Sequence, residues 1–138
     1  MIVTMTGSRD FTDEVAVLVA LRGVAKYGAT VHVGDARGLD SIVRRKCESL
    51  GIPVVVFPAD WEREGRAAGF RRNARMISSQ PDRVVAFFGP SGETKGTMHT
   101  VDLAKRAGIP VVIYRETTRN WERIGARSVS PDVSSDEA

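Results

Sequence analysis

Five short apolar runs recur along the chain, at residues 2–6, 30–33, 53–57, 83–88 and 110–114. Each is nearly continuous rather than alternating, the pattern of parallel strands covered on both faces. The longer mixed segments between them, 13–27, 39–50, 66–79 and 95–107, read as helices. Thr12 is the expected N-cap of the first helix, and Gly28, Gly51 and Gly108 are the expected stops. The third helix is expected to be irregular around Gly69. Two helix–strand joints are near copies, Leu50-Gly51-Ile52-Pro53-Val54-Val55 and Ala107-Gly108-Ile109-Pro110-Val111-Val112. In each, the glycine can end a helix in the left-handed conformation, and the proline can open a strand where no ladder donor is needed. Strand–helix alternation predicts an α/β fold, a Rossmann-like three-layer sandwich with a mostly parallel sheet of about five strands.

Beyond Tyr114 the pattern weakens. Residues 119–127 read as a short helix carrying Trp121 and Ile124. From about residue 128 the chain is rich in Ser and Asp and poor in apolar side chains, the composition of a disordered tail. The expected division is a domain over 1–114 and a C-terminal extension over 115–138.

With 138 residues there is material for one domain. No apolar run approaches the ~18–20 residues of a membrane span. Met1-Ile2-Val3-Thr4 carries no basic stretch ahead of an apolar segment, so no secretory signal is expected. Cys47 is the single cysteine and His32 and His99 are the two histidines, which argues against a disulfide framework and a His/Cys metal site. A cytoplasmic location follows as the expectation. The formal net charge is only +3, although sixteen of the twenty basic residues are arginine. A strongly basic arm is excluded, but a local phosphate site is not, since the arginine fork suits phosphate. Neither a Walker A sequence nor a GxGxxG or GxSxG motif is present.

In open α/β sheets ligands gather at the carboxyl ends of the strands, so the residues after each strand are the ones to inspect. Gly7, Ser8 and Arg9 follow the first. Glycine permits close approach, the hydroxyl suits phosphate or ribose, and Arg9 suits phosphate. Gly34, Asp35, Arg37 and Gly38 follow the second, with Asp35 expected to accept from ribose hydroxyls or a base amine. Asp60 and Trp61 follow the third. Trp61 either stacks on a base or plugs the sheet edge, and the plug is the preferred reading. Arg71, Arg72 and Arg75 cannot share one helical face, and Arg72 with Asn73 is the pair assigned to the site. After the fourth strand, Gly89, Gly92, Gly96 and Thr97 belong to a glycine-rich loop feeding a helix, an arrangement that holds phosphate through backbone amides.

Taken together, Gly7-Ser8-Arg9, Gly34-Asp35-Ala36-Arg37-Gly38-Leu39-Asp40, Asp60-Trp61, the 69–73 segment and the 89–97 loop resemble the YspA/YpsA-related branch of the SLOG superfamily. The resemblance spans roughly residues 1–114. It implies a Rossmann-like domain that binds a nucleotide or nucleotide-derived ligand. Its relatives include cytokinin-activating phosphoribohydrolases, molybdenum-cofactor carriers and the DNA-processing protein A family. The phosphoribohydrolase pattern Pro-Gly-Gly-x-Gly-Thr-x-x-Glu is altered here: Gly96-Thr97 is kept, but Thr100 stands where the Glu would be.

The expected function is therefore binding of a phosphorylated ribose-containing ligand, as a sensor or carrier, with no cofactor required. The alternative is hydrolysis of an N-glycosidic or phosphoester bond of such a ligand, with Asp35 and Asp60, and also Asp40, as candidate carboxylates. Single-stranded DNA binding through the 63–75 arginine segment and Trp61 is a further alternative, disfavoured by Glu62, Glu64 and the modest net charge. Self-association into a homo-oligomer is expected, and a membrane partner is not.

Overall fold

A computed structural model of the chain describes residues 1–125. Its elements run β1 (Ile2–Gly7), α1 (Glu14–Ala25), β2 (Thr30–Gly34), α2 (Leu39–Leu50), β3 (Val54–Phe57), α3 (Trp61–Glu64), α4 (Ala68–Ser78), β4 (Arg83–Phe88), α5 (Lys95–Arg106), β5 (Val111–Arg115) and β6 (Asn120–Ile124). The strands form one six-stranded sheet in the order β3-β2-β1-β4-β5-β6. β1 to β5 pair in parallel, and β6 pairs antiparallel with β5. This is a Rossmann-like α/β sandwich.

The continuous apolar strands are explained by the two layers. In β4, Val85 and Phe87 turn to a core shared with Val17 and Leu21 of α1 and with Val43 and Cys47 of α2. Their neighbours Val84, Ala86 and Phe88 turn to the opposite core, with Ile77 of α4 and Val101 and Ala104 of α5. Successive side chains thus reach opposite faces, and both faces are dry. Cys47 is fully buried, and burial pushes its thiol up to about 11, which leaves it a small apolar filler. Among the described residues, no helix is long and apolar enough to cross a membrane.

Three local expectations are corrected. The N-cap of α1 is Asp13, whose side chain accepts from the Ala16 amide at 3.2 Å, not Thr12. Thr12 instead donates its amide and hydroxyl to Glu116 at 3.0 and 2.6 Å. The third helical segment breaks at Gly65 rather than Gly69. There φ is +57°, and a 3-10 turn, Gly65–Ala67, separates α3 from α4.

The third correction is the segment expected to be a helix over 119–127, which is the strand β6 as far as the described residues reach. A tight turn with Arg119 at φ +57° folds it back on β5, and Trp121 lies opposite Tyr114 with ring centroids 4.7 Å apart. Trp121 also meets Phe87, whereas Ile124 packs against the other core. Strand alternation sends these two side chains to opposite faces, and the i,i+3 spacing of a helix would not. The sheet therefore continues past residue 114. The expected tail lies outside the described residues.

Candidate functional site

Strand order reverses between β1 and β4, so the loops leaving these neighbours diverge and open a crevice at their carboxyl ends. A cleft of about 390 Å³ lies there. The end of β1 contributes Thr6 to Asp10. The β2–α2 connection contributes Ala36, and the first turn of α2 contributes Asp40. Trp61 comes from α3, Arg66 from the 3-10 turn, and Gly69, Phe70, Arg72, Asn73 and Met76 from α4. Ser91, Thr94, Gly96 and Thr97 come from the loop after β4 and the first turn of α5.

Of the residues singled out in the sequence, Gly7, Ser8, Arg9, Arg72, Asn73, Gly96 and Thr97 line this cleft. Gly34, Asp35, Arg37, Gly38, Asp60, Gly89 and Gly92 are not among its lining. Most of those glycines serve chain packing. A Cβ on Gly38 would strike the Arg9 backbone, one on Gly89 would strike Asp10 and Phe11, and one on Gly34 would strike both Arg72 and Asp40. Gly7 lines the cleft, yet its own missing Cβ makes room for Leu39 and the Phe87 carbonyl. Gly96 differs, because a Cβ there would meet nothing within 4 Å.

The hydroxyl of Ser8, expected to meet a ligand, is occupied by the fold. It accepts from the Gly89 amide at 2.9 Å and donates to the Phe87 carbonyl at 3.4 Å, stitching the β1 and β4 loops together. A second stitch runs from Asp10, whose Oδ2 accepts from both the amide and the hydroxyl of Ser91. The Ser91 hydroxyl is the main reason that the Asp10 carboxyl sits below its ordinary range.

Asp35 is not part of the cleft lining either. Its Oδ1 accepts from Arg72 Nη1 at 3.1 Å and from the Ala59 amide at 3.3 Å. It is a positioning group for Arg72, which also donates Nη1 to the Phe57 carbonyl and Nε to Asn73 Oδ1, the latter at 3.0 Å. Because Arg72 only donates, the Asn73 oxygen must face it. The Asn73 amide nitrogen then donates to the Gly96 carbonyl at 3.2 Å and to His99 Nδ1 at 3.4 Å. This chain of bonds ties the β2 side of the cleft to the start of α5. Burial holds the His99 imidazole below its ordinary pKa, consistent with an accepting Nδ1.

Asp60 caps α3 by accepting from the Arg63 amide at 3.2 Å. Two further arginines of the 63–75 segment, Arg71 and Arg75, lie against Glu64, and Arg75 also donates to the Pro58 carbonyl at 3.0 Å. Thr100 is fully buried and supplies no carboxylate. Of the candidate carboxylates, Asp40 is the one that reaches the cleft. Its residue is 5% exposed, its Oδ2 accepts from the Ala36 amide at 3.1 Å, and burial lifts its pKa to about 6.

Trp61 is half exposed and Phe70 is 44% exposed, and both line the cleft. Trp61 thus keeps half of its surface open while its ring edge rests near Gly69. Phe70 rests on His99, with ring centroids 4.6 Å apart. Composition signalled neither Phe70 nor Arg66, because only the break at Gly65 turns this segment over the cleft. Among the described residues, no group of three His, Cys, Asp or Glu is placed to hold a metal ion.

Fold and cleft define a Rossmann-type α/β protein with a polar, aromatic-lined crevice at its switch point. The chain is 37% identical over 120 residues to the Gene 61 protein of Mycobacterium phage D29, a match covering 81% of this chain and 94% of that relative. It belongs to the family of that phage protein. No protein-family model matches the chain.

Proposed function

We propose that the protein is a SLOG-type module that binds a nucleotide or nucleotide-derived ligand in the switch-point cleft, as a sensor or carrier. The observation that carries this reading is the meeting, in one cleft, of the first turn of α5 with Arg9, Arg66 and Arg72 and with two half-exposed aromatic rings. The amides of Gly96 and Thr97 in the first turn of α5, where Thr94 makes no side-chain cap bond, and the positive end of the helix favour an anion. The guanidinium groups add charge-assisted donors for phosphate. Trp61 and Phe70 offer flat apolar faces for a base. Gly96 lets the anion approach the backbone, since a side chain there would project into open space.

The test is calorimetry with nucleoside monophosphates, cyclic nucleotides and ADP-ribose, on the wild type and on Gly96→Trp. A Cβ at this cleft-lining position meets nothing within 4 Å, so a larger side chain is expected to be tolerated and to obstruct the ligand. Binding by the wild type that the variant abolishes supports the reading. A wild type silent across the panel, or a variant that binds as well as the wild type, refutes it.

A further inference from the structure

We infer that Asp40 is the sugar-reading group of the cleft, accepting hydrogen bonds from the vicinal hydroxyls of a ribose, so that the site selects ribonucleotides over 2′-deoxyribonucleotides. This inference rests on the nucleotide reading above and assigns to Asp40 the role that the sequence suggested for Asp35.

Asp40 lies in the first turn of α2, lines the cleft, and is 95% buried by its 5% residual exposure. One carboxylate oxygen, Oδ2, is held by the Ala36 amide. The other, Oδ1, makes no hydrogen bond among the described residues, yet it is not one of the side-chain oxygens sealed from solvent. Since Asp40 lines the cleft and Oδ2 is engaged, Oδ1 is the oxygen left for a donor there. The nearest cation does not satisfy it. Arg72 comes so close that a Cβ on Gly34 would touch both groups, but its Nη1 is committed to Asp35 and Phe57 and its Nε to Asn73. Gly34 thus makes room for a carboxylate and a guanidinium side by side without letting them pair. A largely buried carboxylate with one oxygen left to water can exchange that water for a donor on a ligand.

The chemistry of the missing partner is narrow. A carboxylate repels phosphate and takes only donors. A single free oxygen cannot clamp the two-donor edge of a guanine, but it can accept from a sugar hydroxyl. Position agrees. Asp40 neighbours Arg72, Arg72 bonds Asn73, and Asn73 bonds the Gly96 carbonyl at the start of α5. The carboxylate therefore stands one guanidinium and one carboxamide away from the anion site. In a nucleotide, the sugar is the group joined directly to the phosphate, and the base beyond it would reach the aromatic pair. A residue that merely fixed the β2–α2 turn would need only the Ala36 bond, which asparagine also makes.

Calorimetric titrations with the four common ribonucleoside 5′-monophosphates and their 2′-deoxy counterparts, on the wild type and Asp40→Asn, test this. The wild type is expected to favour the ribo series by about tenfold or more, the worth of a hydrogen bond to a charged acceptor. Asp40→Asn is expected to lower ribo affinity by more than deoxy affinity, which has only the 3′-hydroxyl contact to lose, so that the ribo preference shrinks toward unity. Equal wild-type affinity for the two series, or an equal loss from both in Asp40→Asn, overturns the assignment of Asp40 alone. Silence toward both series overturns this inference, and silence also toward the cyclic nucleotides and ADP-ribose of the wider panel overturns the nucleotide reading with it.

Discussion

Replacing Asp40 by asparagine should stabilise the unliganded protein at neutral pH, and the gain should vanish in acid. The carboxyl is buried with one amide donor, from Ala36. Burial is the main reason its pKa rises from 3.8 to about 6; Asp35 adds to the rise, while the Ala36 amide, Arg72 and Arg44 oppose it. A lift of roughly two units corresponds to about 3 kcal/mol of stability forgone once the group is ionised. The sign follows from proton binding. The folded protein holds this proton more tightly than the unfolded chain, so stability rises as pH falls from about 6 to about 4, and the full penalty stands above 6. Asparagine keeps an oxygen for Ala36 and carries no charge. Urea unfolding of both proteins at several pH values between 4 and 8 measures the difference, with the m-value as a check that compactness is unchanged. Asp40→Asn is expected to be more stable by up to about 3 kcal/mol at pH 8, converging on the wild type near pH 4. A gap that does not change with pH, or a variant less stable at pH 8, would refute the reasoning.

Two more outcomes follow from the geometry. Gly34→Ala drives a Cβ into Arg72 and Asp40, and a loss of about 1–3 kcal/mol is expected in thermal melts, together with loss of ligand binding; an unchanged melt would mean that the cleft wall yields freely. Self-association has its strongest candidate surface on α1 and the turn after it, where Val15 and Val19 of the helix and Tyr27 beyond it are exposed, the latter two lining a groove that reaches Trp121. The acidic start and basic end of that helix suit antiparallel contact with a second copy. Sedimentation is expected to show a species heavier than the 15.0 kDa monomer, and Val19→Asp to dissociate it, whereas a monomeric wild type removes the idea.

The frame of the protein was legible because both cores impose apolar positions at strand period. The helix over 39–50 could be read to its end residues, from the glycines on either side. The Arg72–Asn73 pair was legible because helical geometry cannot put three nearby arginines on one face. Other features resisted for physical reasons. Glycine is required wherever a backbone comes close to anything, so Gly34, Gly38 and Gly89, which admit neighbouring parts of the chain, look the same in sequence as Gly96, which admits open space. Asp35 and Asp40 are separated by a turn in which Gly38 has φ +73°, and that turn decides which carboxylate is carried into the cleft. β6 depended on pairing with Tyr114 and on a two-faced burial that a five-residue segment does not announce.

The two stitches between the β1 and β4 loops, Ser8 to Gly89 and Asp10 to Ser91, bear on how a ligand would arrive. They fasten the loop that leads into α5 before anything binds, so the ordering entropy of that loop is charged to folding rather than to association. Capture at this end should then be a single encounter with a finished surface, with an on-rate set by diffusion and charge rather than by loop closure. The strength of the grip would be expressed in the time the ligand stays.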